Sequence, residues 1–276
     1  MAIEYLAGNR IRGTSTERTA LTTGAPDYEL GTEADGIATD PSFTNTGSND
    51  VSYDSTNDEL DITPATNNWG GSHTVAYYKD ILGETISDTE WVLRMKWVQQ
   101  SWTTNTGSSG NDVHVDLSSV ITNNLSGDTS GVVIHNWSSN QGLGLDVIND
   151  SSTTNTENYE KVITPTATTY YIQMRRLDTD DFDIKIYTNS DFSTGQQGST
   201  ETKTVTGLAN LRYLRMFSQF QSGASGVGNM SIKWFKFWND TTTATSISYN
   251  IQDGSIFYET DTNKSYVLYN GTWSEL

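Results

Sequence analysis

Apolar and polar residues alternate with a period of two along most of the chain. The segment WVLRMKWVQQSW (91–102) is the clearest case. One face carries Trp91, Leu93, Met95 and Trp97, and the other carries Arg94 and Lys96. Because successive side chains of a strand point to opposite faces, this spacing predicts a half-buried β-strand.

The same period recurs on both sides of a polar turn. TYYIQMRRL (169–177) and FDIKIYTN (182–189) flank the turn DTDD (178–181), which predicts an antiparallel hairpin. Further strands are predicted at 113–117, 131–137, 143–150, 211–220 and 229–240. No long run shows the 3.6-residue period of a helix, so residues 25–240 are predicted to form an all-β, two-sheet antiparallel sandwich.

The two ends differ from this body. Residues 1–24 are predicted to be an N-terminal arm or docking segment, with Ile3, Leu6 and Ala7 spaced for one helical turn; a frayed terminus is the alternative. Residues 241–252 form a polar linker, and residues 253–276 a small C-terminal β-meander with turns at 261–264 and 270–271. A meander this small needs a packing partner. The predicted assembly contacts are Ile3, Tyr5, Leu6, Phe257, Tyr258, Tyr266, Tyr269 and Trp273.

Composition and charge narrow the partners. The chain of 276 residues is 34% hydrophobic and 11% aromatic, and the aromatic content argues against disorder. A net charge of −18 disfavours nucleic acid and anionic membranes as partners, and the absence of cysteine excludes disulfides and thiolate metal sites. We expect no membrane insertion and no classical secretion signal, which leaves release inside a virus particle as one route out of a cell.

The order of the strands resembles the concanavalin A-like jelly roll, in its laminin G-like branch. The resemblance rests on HTVAYYKDI (73–81), EWVLRMKWV (90–98), the hairpin at 170–187 and the closing NMSIKWFKFWND (229–240). It implies glycan binding, often with calcium, at loops on one rim or on the concave sheet. Some members of this group are glycoside hydrolases.

Both ends resemble terminal segments of structural proteins in tailed viruses of bacteria and archaea. The resemblance rests on AIEYLAGNRIRGTSTERTAL at the start and GSIFYETDTNKSYVLYNGTW near the end. It implies that the chain is part of a virus particle.

The glycoside hydrolases of this group have a characteristic spacing of catalytic carboxylates. Those enzymes place three acids on alternate positions of one strand, so that two of them flank the scissile bond. Asp181 and Asp183 alternate but no glutamate follows, and Glu157 and Glu160 lie on opposite faces of a strand. The sequence therefore predicts a protein that is not an enzyme.

Metal ligands are the next candidates. Asp178, Asp180 and Asp181 form a carboxylate cluster that predicts a calcium site, and no other cofactor is expected. The alternative is that these aspartates cap a β-turn. His73, His114 and His135 are far apart in sequence, and structural, partly exposed histidines are expected.

Sugar binding usually needs an aromatic ring beside amides and carboxylates. The loops offer three such groups: Trp69 with Asn68, Trp102, and Trp137 with Asn136 and Asn140. Packing of each tryptophan in the core is the alternative interpretation.

The combined prediction is a non-enzymatic virion structural protein, in the class of capsid decoration, head-fibre or tail-associated proteins. Its lectin-like domain would bind host-surface glycans, and its ends would contact other virion proteins or copies of itself in a homo-oligomer. The predicted location is the virion surface, extracellular after release. A secreted or cell-surface lectin is the first alternative, and a glycoside hydrolase the second.

Overall fold

The computed structural model describes most of the chain. The described residues are 4–6, 10–18, 26–45, 51–63, 77–104, 111–121, 127–137, 140–149, 160–220, 228–244, 254–269 and 272–276. They divide into a large unit, Asp27–Thr243, and a small unit built from both ends, Met1–Pro26 with Ala244–Leu276.

The first sheet of the large unit has seven antiparallel strands. In spatial order they are β12 (Glu160–Ile163), β11 (Asn140–Ile148), β10 (Thr129–Trp137), β9 (Asn111–Ser118), β16 (Tyr213–Phe220), β7 (Tyr77–Asp80) and β4 (Thr44–Asn45).

The second sheet has eight antiparallel strands. Their order is β15 (Gln196–Thr204), β14 (Asp181–Tyr187), β13 (Thr168–Arg176), β8 (Trp91–Gln99), β17 (Met230–Asn239), β6 (Glu59–Ile62) and β5 (Val51–Asp54), and β3 (Tyr28–Leu30) pairs with β17 off this path. The closing strand β17 therefore pairs with strands from the beginning of the unit, as the jelly-roll resemblance implied.

The core lies between these two sheets. Every apolar position predicted to face inward on β8, β13 and β14 is buried in it, including Trp91, Trp97, Ile172 and Ile184. Val113, Val115, Leu214 and other apolar residues of the seven-stranded sheet fill the opposite side. The predicted all-β jelly-roll sandwich is confirmed, since inward-facing apolar residues of both sheets form one shared core.

The small unit joins the two ends of the chain in one five-stranded sheet. Its order is β1 (Glu4–Leu6), β2 (Arg10–Gly13), β18 (Ile256–Glu259), β19 (Ser265–Tyr269) and β20 (Thr272–Glu275). The β2–β18 pair is parallel and the others are antiparallel. A core of Ile11, Phe257, Leu268 and Trp273 supports it.

The N-terminal segment contributes two strands to this sheet. The helical turn predicted from the spacing of Ile3, Leu6 and Ala7 is wrong, because 4–6 and 10–13 are strands and the one described helical turn lies at 15–18. That turn is tied to the C-terminal strands: Ser15 donates to Asp261, and Arg18 both donates to Glu259 and lies 3.8 Å over the Tyr266 ring. Among the described residues, no helix is both long and apolar enough to span a membrane.

Candidate functional site

A row of charged side chains lies on the face of the seven-stranded sheet that points away from the core. Strand β9 sends Val113, Val115 and Leu117 into the core, so its other residues point outward. Asp112, His114 and Asp116 are nevertheless only 2%, 4% and 3% exposed. Buried ionisable groups are costly, so their concentration on an outer face marks a candidate site.

Neighbouring strands supply a partner for each of these groups. His135 lies opposite Asp112, with 2.7 Å between Nδ1 and Oδ1. Arg215 lies opposite Asp116 and donates two hydrogen bonds to its carboxylate, of 2.9 and 2.8 Å. We call the set Asp112, His114, Asp116, His135, Asp146 and Arg215 the outer polar row.

His114 occupies the middle of the outer polar row. Its ring stacks on Phe217 with 4.5 Å between ring centroids and 5° between planes, and its Nδ1 lies 4.0 Å from Asp146 Oδ2. Gly131 faces Asp116, and a Cβ there would lie 2.3 Å from Asp116 Cβ. The row is therefore assembled by close packing across four strands, which fixes the direction of each polar group.

Sequence reasoning missed this row. The signal was the alternation DVHVD (112–116), an acid–histidine–acid pattern on one strand face. His114 was expected to be partly exposed and is buried. His135, Asp146 and Arg215 come from other strands, so only the register places them beside it.

Four of the six predicted glycan-binding residues lie near one end of the same sheet. Trp137 and Asn140 are register partners where β10 ends and β11 begins. Asn136 is 0% exposed and its Nδ2 donates to the Thr103 carbonyl, 3.1 Å away, which ties the segment after Trp102 to this end. We call this end, at Trp102, Asn136, Trp137 and Asn140, the rim.

The individual predictions fare differently at the rim. Trp102 is partly buried and packs against the core. In this conformation the Asn136 side chain links strand β10 to the segment at Thr103. Nothing is described of the Trp137 and Asn140 side chains, and Asn68 and Trp69 lie outside the described residues.

The predicted metal ligands serve a turn. Asp178 Oδ1 accepts hydrogen bonds from the amides of Asp180 and Asp181, both 2.9 Å long, and these bonds lower the pKa of Asp178. Asp181 accepts a 2.6 Å hydrogen bond from Thr204 Oγ1. This is the geometry of turn capping.

In the described part of the chain, a different group of carboxylates converges. Asp54, Glu59 and Asp61 on the β5–β6 hairpin place one oxygen each within 4.8 Å of one another. Lys233 Nζ lies 2.8 Å from Glu59 Oε2. Burial and the negative charge of Glu59 raise the pKa of Asp61 to about 6.

The predicted assembly contacts divide into two groups. Phe257 and Trp273 are buried in the small unit and Tyr266 packs against them. Tyr258 and Tyr269 are exposed, Tyr269 by 73%. Tyr5 and Leu6 are placed in β1 by their backbone alone, and Ile3 lies outside the described residues.

Known proteins resemble this chain in fold and not in sequence. No family model and no curated protein sequence matches it. The VIP36 exoplasmic/lumenal domain, solved in a Ca²⁺- and mannose-bound form, superposes with a TM-score of 0.50 at 9% identity, covering 82% of this chain and 93% of that one. A protein of unknown function from Shewanella oneidensis MR-1 gives 0.48 at 15% identity, covering 86% and 98%. A lectin from Bauhinia forficata in complex with GalNAc gives 0.45 at 13% identity, covering 78% and 100%. The superposition on the VIP36 domain, together with the order of the strands in the two sheets, shows a jelly-roll fold.

Proposed function

We propose that this chain is a non-enzymatic glycan-binding domain whose binding surface is the outer face of the seven-stranded sheet at the rim, with His135 as the most exposed member of the outer polar row and the other members buried beneath the surface as support. The observation that carries the proposal is the row itself: six ionisable side chains on the outer face of one sheet, held by direct charge pairs and ring stacking. Sugar hydroxyls need donors and acceptors whose directions are fixed in advance. A sheet face provides this because the backbone register sets each direction.

The spacing of the acids supports binding over hydrolysis. Glycoside hydrolases flank the scissile bond with two carboxyl groups about 5–9.5 Å apart. Asp112 and Asp116 are four residues apart on one strand, roughly 13 Å. Each is engaged with a basic group, Asp112 with His135 and Asp116 with Arg215. This pair of acids is therefore poorly placed for acid–base catalysis on one glycosidic bond.

Whether the domain binds calcium is a separate part of this proposal. Calcium takes about six to eight oxygen ligands, and its carboxylates must be free of other cations. The group of Asp54, Glu59 and Asp61 offers three carboxylates, one of them already paired with Lys233. We infer that Lys233 offsets one of the three carboxylate charges and so weakens the group as a calcium site, and glycan binding should be measured with and without a chelator.

The role in a virus particle is proposed on narrower grounds. The support is the resemblance of both ends to virion segments, together with the exposed Tyr258 and Tyr269 on the sheet that those ends build. A particle protein would use this surface against other virion proteins or further copies of itself. Sedimentation of the full chain should show an oligomer that Tyr269→Ser converts to a smaller species; a wild-type monomer would remove this part of the proposal.

The binding test uses the full chain on an array of neutral and acidic glycans, with mannose and GalNAc glycans included because the structural neighbours were solved with them. Asp112→Asn and His135→Ala should each weaken binding of the best ligand by about tenfold or more, because either change disrupts the 2.7 Å contact between His135 Nδ1 and Asp112 Oδ1. The matched control is Arg212→Gln, which removes an exposed ion pair with Asp80 at the other end of the same sheet. No retained glycan, or Asp112→Asn binding like wild type, would refute the proposal.

A further inference from the structure

The outer face of the eight-stranded sheet carries an aromatic surface that a β-bulge creates. Before the bulge, Met230 and Ile232 of β17 face the core; after it, Phe235 and Phe237 do. The extra residue between Ile232 and Trp234 shifts the alternation by one. The shift aims Trp234, Lys236 and Trp238 outward, beside Lys96, Arg94 and Val92 of β8.

Arg94 lies at the centre of this surface. Its Nε donates to Gln173 Oε1 at 2.8 Å, and its guanidinium carbon lies 4.2 Å from the Phe192 ring centroid and 5.8 Å from that of Trp238. Burial, followed by the nearby charge of Arg175, lowers the pKa of Arg94 to about 10.

Arg94 differs from its neighbours in lacking an anion. Arg175 is held by Asp183 at 2.9 Å, and Lys96 is held by Glu33 at 2.7 Å. Among the described residues, no carboxylate lies within ion-pair distance of Arg94. In a chain of net charge −18 with 34 acidic residues, a half-buried guanidinium without a counter-ion is a costly feature.

Phe192 is held over Arg94 in an unfavourable backbone conformation. Its φ is 54°, a region that bulky side chains disfavour. Asp191 fixes the loop by accepting hydrogen bonds from the amides of Ser193 and Thr194, at 2.8 and 2.9 Å. The ring packs edge-on against Tyr171 and Tyr187, with centroids 6.0 and 5.9 Å away. Asn or Gly would fit this backbone at lower cost. The contacts of the Phe192 ring therefore offset the backbone strain.

Glu33 shows how this face holds a carboxylate among aromatic rings. Glu33 accepts hydrogen bonds from Tyr171 Oη at 2.8 Å, Lys96 Nζ at 2.7 Å and Trp234 Nε1 at 2.7 Å. Burial raises the pKa of Glu33, but these three donors outweigh it and the net shift is downward. Arg94 lies two residues from Lys96 on β8. It is also a cation beside aromatic rings, but no carboxylate of the described residues is paired with it.

We propose that Arg94 and the rings around it bind a carboxylate-bearing sugar, such as a uronate unit of an acidic glycan. Arg94 presents its two Nη groups to the carboxylate, a geometry suited to two parallel hydrogen bonds. Phe192, which is partly exposed, offers its ring to the C–H face of the sugar, and the buried Trp238 supports Arg94 from the sheet. This site does not depend on the proposed function, because it lies on the opposite outer face of the large unit from the outer polar row.

The test is a titration of the full chain with trigalacturonate. Binding is monitored by tryptophan fluorescence and by the NMR resonance of the Arg94 Nε–H group. A neutral galactose oligomer, sodium sulfate and a glutamate hexapeptide serve as comparison ligands. We expect saturable uronate binding with a dissociation constant of about 1 mM or tighter. Neutral sugar should not bind, and sulfate and peptide should bind more weakly.

The variants separate recognition from folding. Arg94→Met should weaken uronate binding by about tenfold or more, and Arg94→Lys should weaken it less, because an ammonium keeps the charge without the planar fork. Phe192→Asn suits the backbone and removes the ring, so it should weaken binding in a folded protein. Arg212→Met, on the other sheet, should have no effect, and Asp112→Asn should leave uronate binding intact even if it abolishes binding at the outer polar row.

Several outcomes would overturn the inference. Equal binding of trigalacturonate and its neutral counterpart would do so, as would an Arg94→Met variant that binds like wild type. Sulfate or the glutamate peptide binding as tightly as uronate would show a general anion site and refute the assignment to an acidic sugar.

Discussion

Two arginines on the outer faces of the large unit, Arg215 and Arg94, are held in opposite ways. On the seven-stranded sheet, Asp112 and Asp116 are buried beside basic partners at hydrogen-bond distance. On the eight-stranded sheet, Arg94 sits among aromatic rings with an amide as its described polar partner. A satisfied pair fixes local structure, whereas a charge without a counter-ion keeps binding capacity for a ligand. The comparison suggests that each face is built for a different kind of recognition.

The largest expected effect on stability is on the seven-stranded sheet, where Arg215 is paired with Asp116. Arg215→Met should destabilise the fold by about 3–5 kcal/mol, because it leaves the Asp116 carboxylate buried without its bidentate partner. Urea unfolding followed by circular dichroism measures this. The double variant Arg215→Met with Asp116→Leu should recover much of the loss, since both members of the pair then become apolar. A single-variant loss below about 1 kcal/mol would show that the pair is effectively solvated.

A smaller effect on stability is expected at Glu33, which is bound on the eight-stranded sheet. Glu33→Gln should cost about 1 kcal/mol at pH 7, discounted because the Glu33 side chain is half-exposed. The folded-state pKa of Glu33 is lowered, so its stabilisation is present above the ordinary value of 4.5 and is lost as pH falls through the folded value. Wild type and variant should therefore converge in stability in acid. A constant difference from pH 7 to pH 3 would contradict the ionic role of Glu33.

These two faces also show what could be predicted from sequence. The inward faces of β8, β13 and β14 were predictable because one strand's own alternation determines them. Strand β15 was not, since its residues are almost all polar and exposed at a sheet edge.

The sites escaped prediction for a related reason. The outer polar row depends on the register between β9, β10, β11 and β16, which no single segment encodes. The surface around Arg94 depends on a bulge that reverses the alternation within β17. Local patterns therefore located the core, while pairing between distant strands located the chemistry.

Glu59 and Asp61 on β6 place two carboxylates close together on the eight-stranded sheet. They test the comparison with negative charge in place of the positive charge of Arg94. The pKa of Asp61 is raised from 3.8 to about 6, so its contribution to stability is present below the ordinary value and is lost as pH rises through 6. Asp61→Asn should therefore stabilise the protein by about 1 kcal/mol at pH 8, a figure reduced for solvent screening, and change little at pH 3.5. Thermal unfolding across this range measures the effect. If Asp61→Asn is destabilising at pH 8, a cation such as calcium is using the carboxylate.

The smallest effect on stability is expected where the comparison predicts binding. Arg94→Met keeps an apolar stem of similar length against Phe192 and Trp238 and removes a charge that lacks a counter-ion in the described part of the chain. Its free energy of unfolding should stay within about 1 kcal/mol of wild type, because removal of the uncompensated charge offsets loss of the hydrogen bond to Gln173, in contrast to Arg215→Met. Urea unfolding in the absence of any sugar measures both variants under one condition. A loss of about 3 kcal/mol or more for Arg94→Met would mean that Arg94 is a structural residue like Arg215, and the two faces would then differ in composition alone.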